Sequence, residues 1–152
     1  NFLNKIELFA YCLMPNHFHL LIKQAKKGEM EKFMRSLLTR FSMYFNKKYQ
    51  RVGTLFQGTY KASLITDDRY LLHLSRYIHL NPQEVTKDLV NWYSSYSYYL
   101  DKKHSLWLNP KPILAFFDQA KIPELTKVNS YKKFVESYKK DSAEILGELI
   151  LE

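Results

Sequence analysis

The alternation of apolar and polar positions divides the first half of the chain into a hairpin and two helices. Residues 6–13, "IELFAYCL", are a short run of strand-favouring side chains. Met14, Pro15 and Asn16 supply turn chemistry, and "HFHLLIK" resumes the run, so the pattern predicts an antiparallel hairpin. On the second strand His17, His19 and Leu21 point one way, and Phe18, Leu20 and Ile22 the other. "AKKG" at 25–28 is a break. Over 29–49 the residues Met30, Phe33, Met34, Leu37, Leu38, Phe41, Tyr44 and Phe45 recur at helical spacing. Gly53 and Gly58 punctuate the next stretch, "RVGTLFQGTYKASLI", whose second half reads as strand. A second helix is expected over about 67–80, capped by Thr66 or Asp67 and ended by Pro82.

Beyond that helix the pattern weakens. "WYSSYSYYL" at 92–100 is a short helix or an irregular aromatic cap, and from Asp101 the chain is more polar, with prolines at 110, 112 and 123. "SYKKFVESYKKDSAEILGELILE" at the end reads as one or two amphipathic helices. The expected organisation is a core over 1–100 and a C-terminal helical extension over 101–152, with no internal repeat.

Charge narrows the function classes. The 152 residues carry 23 Lys and Arg against 15 Asp and Glu, a net of +8. Aromatics make up 16%, including 12 tyrosines. A basic, tyrosine-rich domain suits a polyanion with flat faces to stack on, which is nucleic acid, although a generic basic surface has the same totals. Over 29–51 six Lys and Arg against two Glu give +4. Arg35, Arg40, Lys47, Lys48 and Arg51 are candidates to track phosphates, or else a solvated helix face. Phe56, Tyr60 and Lys61 could line a stacking groove or be ordinary sheet residues. The single cysteine, Cys12, excludes an internal disulfide and a Cys-rich zinc site. No apolar stretch is long enough to span a membrane.

The candidate chemistry lies in two places. On a strand, His17 and His19 share a face with roots about 6.5–7 Å apart, so both imidazoles can converge on one metal ion. Alone, paired core histidines explain this equally well. On the second helix His73, Tyr77 and Asn81 follow one another at i, i+4, which places them in one row. A tyrosine hydroxyl can act as a nucleophile, and an asparagine oxygen can complete a hard-cation site. A core aromatic and a helix-stop asparagine are the plainer roles. Arg76 points about 100° away from Tyr77 around the helix, and His79 lies off that face as a structural residue.

"YCLMPNHFHLLI", "GTLFQGTYKASLI", "YLLHLSRYIHLNP" and "WYSSYSYYL" occur in this order and spacing. Together they resemble the REP-associated tyrosine transposases, a branch of the single-tyrosine HUH transposases, over most of residues 6–100. The resemblance implies an α+β fold with an antiparallel sheet flanked by helices, ferredoxin- or RRM-like. It implies cleavage and rejoining of single-stranded DNA beside hairpins through a 5′-phosphotyrosine on Tyr77. His17, His19 and Asn81 would hold magnesium or manganese, and His73 is a candidate for handling the proton. The family pattern has a further strand before the equivalent of Asn1, so the first strand of the fold is expected to be missing here. A bacterial cytoplasmic, nucleoid-associated location follows from the resemblance, with no membrane and with monomer and homodimer both open. Two other readings share these residues: a non-catalytic module binding hairpin DNA or RNA, and a metal-dependent hydrolase in which water attacks. An unperturbed phenol titrates near 10, so only about 0.1% of it is ionised at pH 7, and full ionisation requires about 4 kcal/mol from the site.

Overall fold

The computed structural model describes residues 1–119, 128 and 130–137. The chain forms two compact units, one of Asn1–Ile6 and Lys23–Ala62, the other of Glu7–Ile22 and Ser63–Glu152. The architecture is α+β, with a two-stranded antiparallel sheet and helices, as the resemblance implied.

The hairpin forms as the pattern predicts, from β1 (Ile6–Leu13) and β2 (Phe18–Gln24), and its Glu7–Ile22 stretch belongs to the larger unit. The Met14 N–H donates to the His17 carbonyl at 2.9 Å and closes the turn. The far edge of β1 is not left bare. Cys12 bridges Ser94 antiparallel and Leu8 bridges Leu108 parallel, so segments from beyond residue 90 satisfy its second row of backbone groups.

The helix predicted near 67–80 is α2 (Asp68–Leu80), and Asp67 is its N-cap, accepting from the Tyr70 N–H at 3.0 Å. Pro82 ends the α-helix, yet the chain continues as a 3₁₀ turn over Asn81–Glu84. The fixed φ of proline suits the first turn of a new helix, where its missing N–H is not needed. The short helix expected in the aromatic stretch is α3 (Tyr96–Tyr99).

One departure has a physical cause. The second half of "RVGTLFQGTYKASLI" forms no strand. Lys61–Leu64 are exposed, and apolar alternation without a ladder to join does not make a strand. In the proline-bearing stretch beyond residue 101 the chain forms α4 (Lys111–Gln119). Pro112 falls in its first turn, and the Ile113 and Leu114 N–H groups both donate to the Pro110 carbonyl, at 3.1 and 3.0 Å. The C-terminal helices expected from residue 130 begin with α5 (Tyr131–Glu136), capped by Ser130; the remainder of that expectation lies outside the described residues. The core of this unit joins Phe9 and Leu21 of the hairpin to Leu72 and Ile78 of α2, with Ile113 of α4 and Val135 of α5.

The smaller unit is built on α1 (Glu29–Tyr49), which matches its predicted span. Gly28 starts it at φ +86°, a backbone conformation that side-chain-bearing residues rarely adopt. Glu29 and Glu31 sit at its N-terminus and Lys47 and Lys48 at its C-terminus, each favourable to the helix dipole. Met34 is buried, Phe33 packs edge-on against Phe2 at 5.3 Å, and the Asn46 amide donates to the Gly53 carbonyl at 2.8 Å.

Candidate active site

Four of the sequence candidates meet within the larger unit. The rings of His17 and His19 stand 4.9 Å apart and nearly perpendicular, at the start of β2. The His19 ring meets the Tyr77 ring edge-on at 5.7 Å. Asn81 Nδ2 lies 3.1 Å from His19 Nε2. Helical spacing explains the second pair: Tyr77 and Asn81 are one turn apart, and the Asn81 backbone N–H donates back to the Tyr77 carbonyl at the helix end. Strand alternation explains the first. The hairpin thus offers two imidazoles to the C-terminal turn of α2.

The donor set can be tested against a divalent cation. His17 is exposed, and its Nδ1 lies 2.7 Å from Asn16 Oδ1; the tautomer that donates from Nδ1 to that oxygen would leave the Nε2 lone pair for a ligand role. Neighbouring ligands at about 2.1 Å from one octahedral ion stand about 3 Å apart. The 3.1 Å between Asn81 and His19 Nε2 matches that spacing, with the amide turned to present its oxygen. On this spacing the His19 imidazole and the Asn81 amide could share one such ion, with the His17 ring beside them. Among the described residues no group of three or more His, Cys, Asp or Glu is placed to hold a metal ion.

The other helix residues turn to different partners. His73 is buried, with Nδ1 2.7 Å from Arg76 Nη2 and its ring 5.7 Å from that of Phe134. Arg76 is buried as well. Its guanidinium lies 4.2 Å above the Phe134 ring, and Nη1 donates to the Phe134 carbonyl at 3.4 Å. Arg76 therefore ties α2 to α5.

His79 is the centre of a buried polar network that the sequence did not disclose. Its Nδ1 is 2.7 Å from Tyr131 Oη and its Nε2 is 2.6 Å from Ser95 Oγ. The Tyr131 hydroxyl donates to Ser75 Oγ at 3.1 Å, and Ser75 donates to the Leu72 carbonyl at 2.7 Å. The Tyr11 N–H donates to Ser95 Oγ at 2.8 Å. One proton assignment satisfies every member: His79 neutral, its Nδ1–H given to Tyr131 and its Nε2 accepting from Ser95. Burial pushes the His79 imidazole down to about 3, which agrees with a neutral ring. Burial also raises the Tyr131 phenol well above its ordinary value. Only the serine and tyrosine repetition in "WYSSYSYYL" hinted at such a network.

The candidate nucleic-acid residues occupy the smaller unit. Arg35, Arg40, Lys47, Lys48 and Arg51 are exposed, and Arg35 pairs with Glu31 at 2.9 Å. The Lys48 ammonium stands 5.8 Å from the Tyr44 ring and 5.4 Å from the Tyr49 ring, and Arg51 stacks 5.8 Å from Phe45. Phe56 packs 6.1 Å from Phe41. Phe56 and Tyr60 are half-buried, and Lys61 is exposed.

The class defined by these features is an α+β protein that sets a His-x-His strand against a tyrosine-bearing helix. Residues 3–81 match the family model described as "Transposase IS200 like", and the chain belongs to that family. His17, His19, Tyr77 and Asn81 all fall within the matched stretch. Comparison with curated proteins and with solved structures gave no match. The family assigns the chain to DNA transposition. Among the described residues no helix is long and apolar enough to cross a membrane.

Proposed function

We propose that this chain cleaves and rejoins single-stranded DNA beside hairpins of the repeated-palindrome type, with Tyr77 as nucleophile. The observation that carries this reading is the convergence of His17, His19 and Asn81 on the Tyr77 end of α2. The quoted motifs favour the REP-associated branch, and the core of the activity is assigned to 1–100, with 101–152 as the helical extension.

The Tyr77 oxygen attacks the scissile phosphorus in line. The new Tyr–O–P bond forms as the P–O3′ bond breaks, leaving a 5′-phosphotyrosine and a free 3′-hydroxyl. The phenolic proton is lost and the 3′ oxygen gains one, so protons balance. Tyr77 is half-buried, which leaves solvent within reach for that exchange. The phosphoester is conserved on the enzyme, so another 3′-hydroxyl can reverse the step without ATP. His17, His19 and Asn81 would hold magnesium or manganese. Such a cation, when bound, supplies Lewis-acid charge at the phosphate. The protein's own contribution is to fix those three donors and to aim Tyr77 from a helix clamped by Arg76 and His79. Stacking and phosphate contacts from Arg35, Arg40, Lys47, Lys48, Arg51, Phe56, Tyr60 and Lys61 supply affinity in this reading. His73 is retained as a proton-handling candidate.

The test is a labelled single strand carrying a hairpin from the DNA flanking the gene, incubated with protein and manganese and run on a denaturing gel. The expected result is a labelled band migrating with the protein, lost in Tyr77→Phe and with EDTA. Cleavage with no adduct, unchanged in Tyr77→Phe, would make water the nucleophile. Tight binding with neither product would leave a binding module.

A further inference from the structure

The larger unit carries an aromatic platform apart from the four-residue site. Its centre is Trp107, held on both sides by backbone. Next to it Leu108 bridges Leu8 of β1, the Asn109 N–H donates to the Leu8 carbonyl at 2.8 Å, and the Asn109 amide reaches Glu7 at 3.2 Å. Before it, Ser105 Oγ accepts from the Trp107 N–H at 3.3 Å. Beneath it lie two tyrosine rings, Tyr11 at 5.7 Å and Tyr98 at 5.9 Å. Burial, with Tyr98 alongside, pushes the Tyr11 phenol up to about 12. The indole nevertheless remains 57% exposed, and Leu106 beside it is fully exposed. A tryptophan serving only as a lid would bury most of its large apolar area.

The surrounding charge says what the open face suits. Over 101–111 Lys102, Lys103 and Lys111 oppose Asp101 alone, a local net of +2 with His104 neutral. Lys102 and Lys103 are exposed. A flat exposed ring, with exposed lysines four and five residues before it in the chain, suits the alternation of base and phosphate along an unpaired strand. A second copy of this chain fits less well, because a two-fold contact would bring these lysines against their own counterparts.

We propose that Trp107, packed against Tyr11 and Tyr98 in a segment with a net positive charge, is a stacking site for an unpaired base of single-stranded DNA. The proposal rests on the single-strand reading given above. It adds a contact point outside α1 and the 51–61 segment.

The test uses the full chain and an unstructured probe, the oligothymidylate dT12, at low salt. The chain has two tryptophans, so Trp92→Phe leaves Trp107 as the only indole. Its emission should be quenched as dT12 binds. Trp107→Ala should weaken dT12 binding roughly 5- to 100-fold, while Trp107→Phe, which keeps a stacking ring and controls for folding, should retain most of the affinity. The covalent assay is run in parallel. If Trp107→Ala binds dT12 as the wild type does, the platform is refuted, while an adduct in the same samples keeps the transposase reading. If binding depends on Trp107 but no adduct forms, the platform stands and the nucleophile assignment falls. A wild-type protein that does not bind dT12 overturns the proposal outright. So does a Trp107→Ala protein that loses only self-association in sedimentation.

Discussion

At the scale of single residues, the role of Tyr77 separates cleanly from its packing. The phenol ring meets His19 edge-on, and phenylalanine keeps that ring. Tyr77→Phe should therefore abolish the covalent adduct while leaving DNA affinity and the unfolding midpoint close to wild type, as checked by gel, anisotropy and thermal melts. His19→Ala removes a donor that touches both Asn81 and Tyr77, and should raise the manganese concentration for half-maximal cleavage by at least about tenfold, read from a metal titration. His79 makes a different prediction. Its folded value lies near 3 because the ring is buried among Tyr96, Tyr99 and Tyr131, against about 6.5 when unfolded. Between those values the unfolded chain binds one more proton. The contribution of neutral His79 is thus intact above about pH 6.5 and is lost as pH falls towards 3, by up to about 1.4 kcal/mol per pH unit. Thermal melts from pH 7.5 to 4.5 should show this slope. His79→Gln, which cannot titrate, should be less stable at pH 7.5 but flatter by about one proton; equal slopes would refute the assignment.

At the scale of elements, α2 carries the site and α5 restrains it. Phe134 is buried, lies under the Arg76 guanidinium and accepts from it through its carbonyl. Phe134→Ala should cost about 3–5 kcal/mol, the range for emptying a buried aromatic site, whereas Phe56→Ala, at a half-buried position, should cost less. Chemical denaturation of the two variants checks the ranking. These elements also show what a sequence discloses. The hairpin, α1 and α2 were legible because strand alternation and helical spacing are local signals, as was a cap at Thr66 or Asp67, of which the structure selects Asp67. The row of Tyr77 and Asn81 could be read for the same reason. The network around His79 could not, since its members are joined across 16 to 84 residues and each looks ordinary in its own segment. His73 shares a helical row with Tyr77, yet its ring is drawn to Arg76 and Phe134, the latter supplied from 61 residues away in α5. The 51–65 segment fails in the opposite sense: it has strand-like residues but no strand to pair with. Pro112 is tolerated in α4 because it falls in the first turn, where its missing N–H is not needed.

At the scale of the whole molecule, charge is divided between the two compact units. Asn1–Ile6 and Lys23–Ala62 hold eleven Lys and Arg against two Glu, a net of +9, while the other unit holds twelve against thirteen, a net of −1. The entire excess of +8 thus resides in the unit that contains α1, and the four-residue site lies in the unit that has none of it. Two imidazoles, an amide and a phenol are a chemically specific but weakly charged set, so the electrostatic share of the affinity for a polyanion is expected mainly from the first unit. Binding should then respond to salt and to basic-residue removal independently of the chemistry. On single strands log K falls with log salt at about 0.7 for each phosphate neutralised. Replacing Lys47, Lys48 and Arg51 together by Gln should reduce that slope by about 2 if each meets a phosphate, and should weaken binding most at low salt. The measurement is anisotropy of a labelled hairpin strand between 50 and 200 mM potassium chloride, on the Tyr77→Phe background so that no adduct forms. With Tyr77 restored and DNA at saturation, the triple variant should still form adduct at a near wild-type rate. Parallel salt slopes for the triple variant and its parent would show that the phosphates are met elsewhere. A lost rate at saturating DNA would show that these side chains act in the chemistry as well as in binding.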